Sequence, residues 1–272
     1  MIVQIVLVIV TAVQVNSQQL CPSVCQCYSK QATCTNLFSG ERVWTQNEFD
    51  SGLRVLRVTG NTIQELEDAL FLHWNILSLT FLDLSQNNIK KIQQSAFFGL
   101  TDLEELYLSG NSMTKIHRDT FFFTVDLVRL SLAQNCITDI HQSTFRTNTK
   151  LIALDMSGNK IVSINPNTFH KNLNLVWLDL GCNSINYIHP STFAHDSKLS
   201  DLNLSGNKIA SIKPETFTVN VELKWLNLND NNITDIHPST FQTNSKLTGL
   251  HIAGNKLASI KTGTFDNNRK LA

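Results

Sequence analysis

The chain has 272 residues, with 22 basic and 22 acidic side chains and a formal net charge of zero. That balance gives no electrostatic footprint for nucleic acid. Lys90, Lys91, Lys115 and Arg118 form only a modest basic cluster, which reads as a solvated face rather than a heparin or membrane surface.

Residues 1–17 are predicted to be a signal peptide. Ile2 to Val15 is apolar apart from Gln4, Thr11 and Gln14, and Val15-Asn16-Ser17 supplies the cleavage positions. The run is shorter than the roughly 20 residues of a membrane-spanning helix. No second apolar run follows and no lipid-anchor signal occurs, so no membrane span is expected in this chain. Residues 18–52 hold four of the six cysteines: Cys21, Cys25, Cys27 and Cys34. After a signal peptide, such a cluster reads as a small segment stapled by disulfides because it has little core of its own. Sequence alone allows three pairings. A zinc site is the less favoured alternative.

From residue 53 onward the chain repeats. Asn87, Asn111, Asn135, Asn159, Asn183, Asn207, Asn231 and Asn255 recur at one constant interval, and Asn61 precedes them by a slightly longer step. Phe97, Phe121, Phe145, Phe169, Phe193, Phe217, Phe241 and Phe265 keep the same interval. Such self-similarity marks a solenoid, which grows by stacking and so reads as one domain despite its length. The unit is clearest in Leu199, Leu202, Leu204, Asn207, Ile209, Ile212 and Phe217, and nine copies open at Leu53, Leu79, Leu103, Leu127, Leu151, Leu175, Leu199, Leu223 and Leu247. Leu202 and Leu204 alternate with Asp201 and Asn203, the period of a short strand. One strand per copy makes a parallel sheet with strands about 4.8 Å apart. The asparagine is expected to bond backbone groups in the turn and in the neighbouring copy. Six large apolar residues per copy, each worth about 1.5–3 kcal/mol when buried, hold the unit only if neighbours cover both sides. Pro166, Pro190, Pro214 and Pro238 predict extended or short 3₁₀ turns on the opposite, convex side. The first copy is longer than the others between Phe71 and Leu79, and Trp74 is expected to plug that loop.

This frame, L-x-x-L-x-L-x-x-N-x-I-x-x-I-x-x-x-x-F, resembles the typical 24-residue repeat of the extracellular leucine-rich repeat family, over about four fifths of the chain. Cys21-Pro22-Ser23-Val24-Cys25-Gln26-Cys27 resembles that family's N-terminal cysteine cap. The resemblance implies the pairs Cys21–Cys27 and Cys25–Cys34. It implies an α/β repeat fold: a leucine-rich repeat solenoid with a parallel concave sheet of short strands, an irregular or 3₁₀ convex side and a disulfide N-cap. The family phrase L-x-x-I-P is lacking after the cysteines, and Trp44 and Phe49 are expected to fill its role.

Catalysis is not expected. Ser191, Ser239, Thr192 and Thr240 recur as turn residues, and neither Cys136 nor Cys182 has a catalytic signature or an evident base. His117, His141, His189 and His237 occupy equivalent positions, but only the first two are in adjacent repeats and no third ligand is evident, so no metal is expected. No cofactor is called for. Cys136 and Cys182 lie two repeats apart, about 10 Å, which is too far for a disulfide. Cys182 is expected to be buried in its turn and Cys136 to be exposed and open to an intermolecular disulfide.

The free positions are those between the buried leucines, which face outward. Here Tyr107, Asp155, Trp177, Asp179, Asp201 and Trp225 are the expected ligand-binding residues. Aromatic anchors ringed by polar groups are the usual composition of interface hot spots. Two glycosylation sequons occur, at Asn203 and Asn232. Repeats five, seven and nine share Gly-Asn-Lys and repeats four, six and eight share Ile-His, so the array looks duplicated in pairs of repeats. The chain ends at Ala272 without a second cysteine cap, and self-association through an uncapped end is an expectation. The functional expectation is a secreted, non-enzymatic recognition protein of Toll-like or Slit-like kind, with a protein or glycan ligand on the concave face and immune recognition or decoy action implied by the resemblance. The alternatives are a truncated receptor ectodomain and a matrix component.

Overall fold

A computed structural model describes residues 20–23, 25–35 and 48–271; the expected signal peptide and Trp44 lie outside them. In chain order the strands are β1 (Gln26–Tyr28), β2 (Gln31–Thr35), β3 (Val55–Thr59), β4 (Glu65–Leu66), β5 (Phe81–Asp83), β6 (Lys91–Ile92), β7 (Glu105–Tyr107), β8 (Arg129–Ser131), β9 (Ala153–Asp155), β10 (Trp177–Asp179), β11 (Asp201–Asn203), β12 (Trp225–Asn227) and β13 (Gly249–His251). One sheet runs β1-β2-β3-β5-β7-β8-β9-β10-β11-β12-β13, and β4 pairs β6 beside it. Each of the nine expected repeats supplies one strand to the large sheet, starting just after its first leucine. The strands are parallel and in register, Leu178 opposite Leu154 and Leu202.

The cap extends this sheet. β1 and β2 form an antiparallel hairpin, and β2 pairs β3 in parallel. Ala32 and Cys34 are fully buried against the first repeat, closing the apolar end that a terminal repeat would otherwise expose. The disulfides are Cys21–Cys27 and Cys25–Cys34, the pairing implied by the family resemblance. Phe49 is buried, with its ring 6.2 Å from that of Trp74. Trp74 packs edge-on against Phe71 at 5.4 Å and fills the enlarged loop, as expected. The extra residues there also wind into a short helix, α1 (Leu70–His73), which the repeat pattern does not announce.

The asparagine ladder holds the turns. Asn159 Nδ2 donates to Met156 O and Ser157 O of its own turn and to Leu132 O of the preceding repeat. Its Oδ1 accepts the N–H of Ile137 at 3.0 Å. The phenylalanines stack from Phe71 to Phe265 with centroids 5.9–6.5 Å apart. Strands in a sheet are only about 4.8 Å apart. The back of each repeat is therefore wider than the front, and the stack curves with its sheet on the inside. On the back, Pro214–Phe217 is a 3₁₀ turn, while Pro166, Pro190 and Pro238 lie in turns.

The pairing of repeats has a packing cause. The residue before each ladder asparagine is left-handed, and its identity alternates: Gln86, Gly110, Gln134, Gly158, Cys182, Gly206, Asp230, Gly254. A side chain on Gly158 would run into that of Gln134, and one on Gly254 into Asp230. Each large residue thus lies over the glycine of the next repeat. This same position corrects the reading of the free cysteines. Cys182 stands there at φ 53° and is exposed, whereas Cys136 is half-buried.

Candidate ligand-binding face

The concave face is a grid. From β9 to β12 each three-residue strand buries its central leucine and turns its two flanking side chains outward, and the same two rows run along the neighbouring repeat strands. One row reads Val55, Phe81, Glu105, Arg129, Ala153, Trp177, Asp201, Trp225, Gly249. The next reads Arg57, Asp83, Tyr107, Ser131, Asp155, Asp179, Asn203, Asn227, His251.

Two clusters divide this grid. In the N-terminal one, Arg57 lies 4.4 Å over the Phe81 ring, and Phe81 contacts Tyr107 at 5.4 Å. The Tyr107 hydroxyl donates to Glu105 Oε2 at 2.7 Å, and Glu105 pairs with Arg129 at 2.9 Å. Burial first, then the bond to Glu105, pushes the Tyr107 phenol up to about 12. Tyr107, one of the expected ligand-binding residues, lies in this cluster, three strands from Trp177. Here Glu105 and Arg129 satisfy each other's charge.

The C-terminal cluster spans β9 to β12. Trp177, Asp201 and Trp225 are direct neighbours across β10, β11 and β12. Trp177 is 37% exposed. Trp225 leans towards repeat nine, its edge against the open space at Gly249 and its ring 5.5 Å from His251. The outward positions of β9–β12 hold three aspartates, two tryptophans, two asparagines and an alanine, with no basic residue. Among the described residues, Asp155, Asp179 and Asp201 make no ion pair.

Asp155 and Asp179 also have a structural task that sequence reasoning missed. Asp155 Oδ1 accepts the Ser157 N–H, and Asp179 Oδ1 accepts the Gly181 N–H at 2.8 Å, capping the turn after the strand. Asp83, Asn203 and Asn227 do the same. The Asp-or-Asn preference two residues before the turn amide was the available signal. Burial raises the Asp179 carboxyl; the bonds from Gly181 and Asn203 lower it, and the Asp155 charge raises it further. Asn203 Nδ2 donates to both Asp179 oxygens, at 3.0 and 3.1 Å.

The convex histidines are turn caps. Nδ1 of His117, His141, His189 and His237 each accepts the backbone N–H two residues on. No group of three or more His, Cys, Asp or Glu among the described residues could hold a metal ion. No helix among them is long and apolar enough to cross a membrane.

The leucine-rich repeat family model matches residues 51–112, 77–135, 125–181, 173–231 and 221–272. A search of curated protein sequences gives no match. Among solved structures, the chain is similar to TLR13 in its complex with ssRNA13, at 26% identity and a TM-score of 0.65 over 84% of this chain and 40% of that one. It shares its fold with the InlJ functional domain of Listeria monocytogenes (20% identity, TM-score 0.63, 81% and 43% covered). It also shares it with a chain of the Drosophila Toll–Spatzle complex (21%, 0.65, 78% and 31%). The chain thus spans 31–43% of the length of these structures. Such solenoids typically serve as non-enzymatic binding scaffolds, and the disulfides and Toll-like neighbours suggest an extracellular domain. From the repeat frame, the bonded asparagine ladder, the cysteine cap and the family match across residues 51–272, the chain belongs to the leucine-rich repeat family.

Proposed function

We propose that this chain is a secreted, non-enzymatic recognition protein that binds a basic segment of a protein ligand on the concave face of repeats five to eight. Residues 1–17 would direct export, 18–52 cap the solenoid and 53–272 form the repeats. The observation that carries the reading is Asp201 held in register between Trp177 and Trp225, on a face with aspartates but no basic residue. A lysine or arginine side chain can ion-pair with Asp201 and lie against the indole faces. The same aspartates repel phosphates, which argues against a nucleic-acid ligand here although TLR13 is seen with ssRNA13.

A second reading, that the chain is part of a larger Toll-like or adhesion receptor, rests on its spanning 40% of the TLR13 chain at 26% identity. Both readings use the same face.

The test is fluorescence anisotropy with pools of labelled extended peptides, one carrying Lys and Arg and one carrying Glu, beside neutral oligosaccharides. The basic pool is expected to bind, weakening as ionic strength rises from about 0.1 M to about 1 M and the Debye length falls from about 10 Å to about 3 Å. Binding of the oligosaccharides alone would replace the protein ligand by a glycan. Binding of neither would remove the patch.

Asn232 is the sequon we propose to be glycosylated. No side-chain hydrogen bond ties Asn232 among the described residues, while the Asn203 amide is clasped by Asp179 and Ser205. Peptide mapping after enzymatic deglycosylation in heavy-oxygen water is expected to label residue 232 and leave 203 unmarked. A glycan on Asn203 in the folded, secreted protein would refute the clasp.

A further inference from the structure

A second asparagine ladder, on the convex return, is not apparent from the repeat frame. Asn172 Nδ2 donates to Phe145 O and Asn148 O, and Asn220 Nδ2 donates to Phe193 O and to the backbone oxygen of residue 196. Asn148, Asn244 and Asn268 bond their preceding repeats in the same way. All five are buried, and their side-chain oxygens have no partner. The position therefore requires donors and offers none. One rung differs, since Asp196 stands one repeat after Asn172 and one repeat before Asn220.

Asp196 is 1% exposed, and neither carboxylate oxygen has a hydrogen-bond partner. By equivalence with its neighbours, its side chain meets the carbonyls of Phe169 and Asn172. A carboxylate has only acceptors to present to those carbonyls, whereas the neutral acid carries one O–H donor in nearly the shape of an asparagine amide. Burial alone pushes this carboxyl up to about 7, with no contribution from a neighbouring charge. The ionisable groups along the convex returns of the three repeats packed here include His170, Lys171, His189, His195, Lys198, Lys213, Glu215, Glu222 and Lys224. None compensates Asp196, and Lys198 is bonded to Asn174 instead.

We propose that Asp196 is a proton-operated latch between repeats five and six. Protonated, it donates to a carbonyl of repeat five and completes the convex ladder. Ionised, it breaks that rung, because a charge without partners in a dry interior must gain water by local opening. The direction follows from a native carboxyl held above its unfolded value of 3.8. The native state then keeps its proton where the unfolded chain has lost it, so stability is full at acid pH and falls as pH rises towards neutrality. The latch lies behind β9 and β10, the strands carrying Asp155, Trp177 and Asp179, but it does not depend on that face binding anything.

The test is amide hydrogen exchange on the full chain and on Asp196→Asn from about pH 5 to about pH 9, corrected for intrinsic rates. Protection over residues 169–200 of the wild type is expected to fall about tenfold or more as pH rises, while Asp196→Asn stays flat. The histidines are common to both proteins, so the difference isolates Asp196. Asn220→Asp, which writes the same device one repeat later, is expected to confer the same pH dependence on residues 193–224. Parallel pH profiles for wild type and Asp196→Asn, or an Asn220→Asp profile like the wild type, would overturn the latch.

Discussion

Asn159→Ala is expected to destabilise the solenoid by about 3–5 kcal/mol, more than most surface or single-contact changes. The substitution leaves Leu132 O without its cross-repeat donor and Ile137 N–H without its acceptor. Ile137 N–H is then unsatisfied between packed repeats, at about 1–3 kcal/mol, Leu132 O keeps only the bond from Asn135 Nδ2, and the two bonds inside the turn are lost as well. Its ladder equivalents bond in the same manner, so Asn183→Ala is expected to cost a similar amount. A solenoid is nearly one-dimensional, so the damage should appear first as a separate early transition of repeats four to six. Urea denaturation followed by hydrogen exchange reads this directly. A shift below about 1 kcal/mol would mean that water replaces the asparagine amide at little cost.

Trp177→Ala with Trp225→Ala is expected to remove binding of the basic peptide pool while leaving secretion and thermal stability nearly unchanged. Interface tryptophans typically contribute about 2 kcal/mol or more, about 30-fold in affinity for each. The two stand two strands apart, about 10 Å, so their effects should nearly add. Trp177 has the larger free surface, while Trp225 is partly committed to Gly249 and His251. The Trp177 change is therefore expected to be milder for stability. Asp201→Asn should lower affinity and remove most of the salt dependence, separating the charge from the aromatic area. Tyr107→Phe is the control, because Tyr107 belongs to the N-terminal cluster and spends its hydroxyl on Glu105.

The nine strands, the concave rows and the cap were legible because each rests on strict spacing. Leu202 and Leu204 must alternate to be buried, and a phenylalanine such as Phe169 must recur once in every repeat to stack. The direction in which exposed side chains lean was not legible. Trp225 turns to repeat nine because Gly249 leaves room for it, and Tyr107 turns to Glu105; neither follows from the frame. The capping role of Asp155 and Asp179 was hidden beneath their exposure on an open face. Asn148, Asn172, Asn220, Asn244 and Asn268 recur in the sequence at the repeat interval, but they lie outside the leucine and phenylalanine frame, and nothing there shows that their position is dry and meets backbone carbonyls of the preceding repeat. Asp196 becomes informative only once that ladder is seen. Cys182 departs from expectation for a related reason: position beside a ladder asparagine does not reveal that the residue is left-handed and points to solvent.

Hydrogen exchange of the full chain, with and without the basic peptide pool, tests the proposed recognition face most directly. The expected result is new protection confined to residues 153–157, 177–181, 201–205 and 225–229, with the convex turns and both ends of the solenoid unchanged. Protection of the convex side or of the terminal repeats, with β9–β12 unaffected, would contradict a recognition site built on Trp177, Asp201 and Trp225.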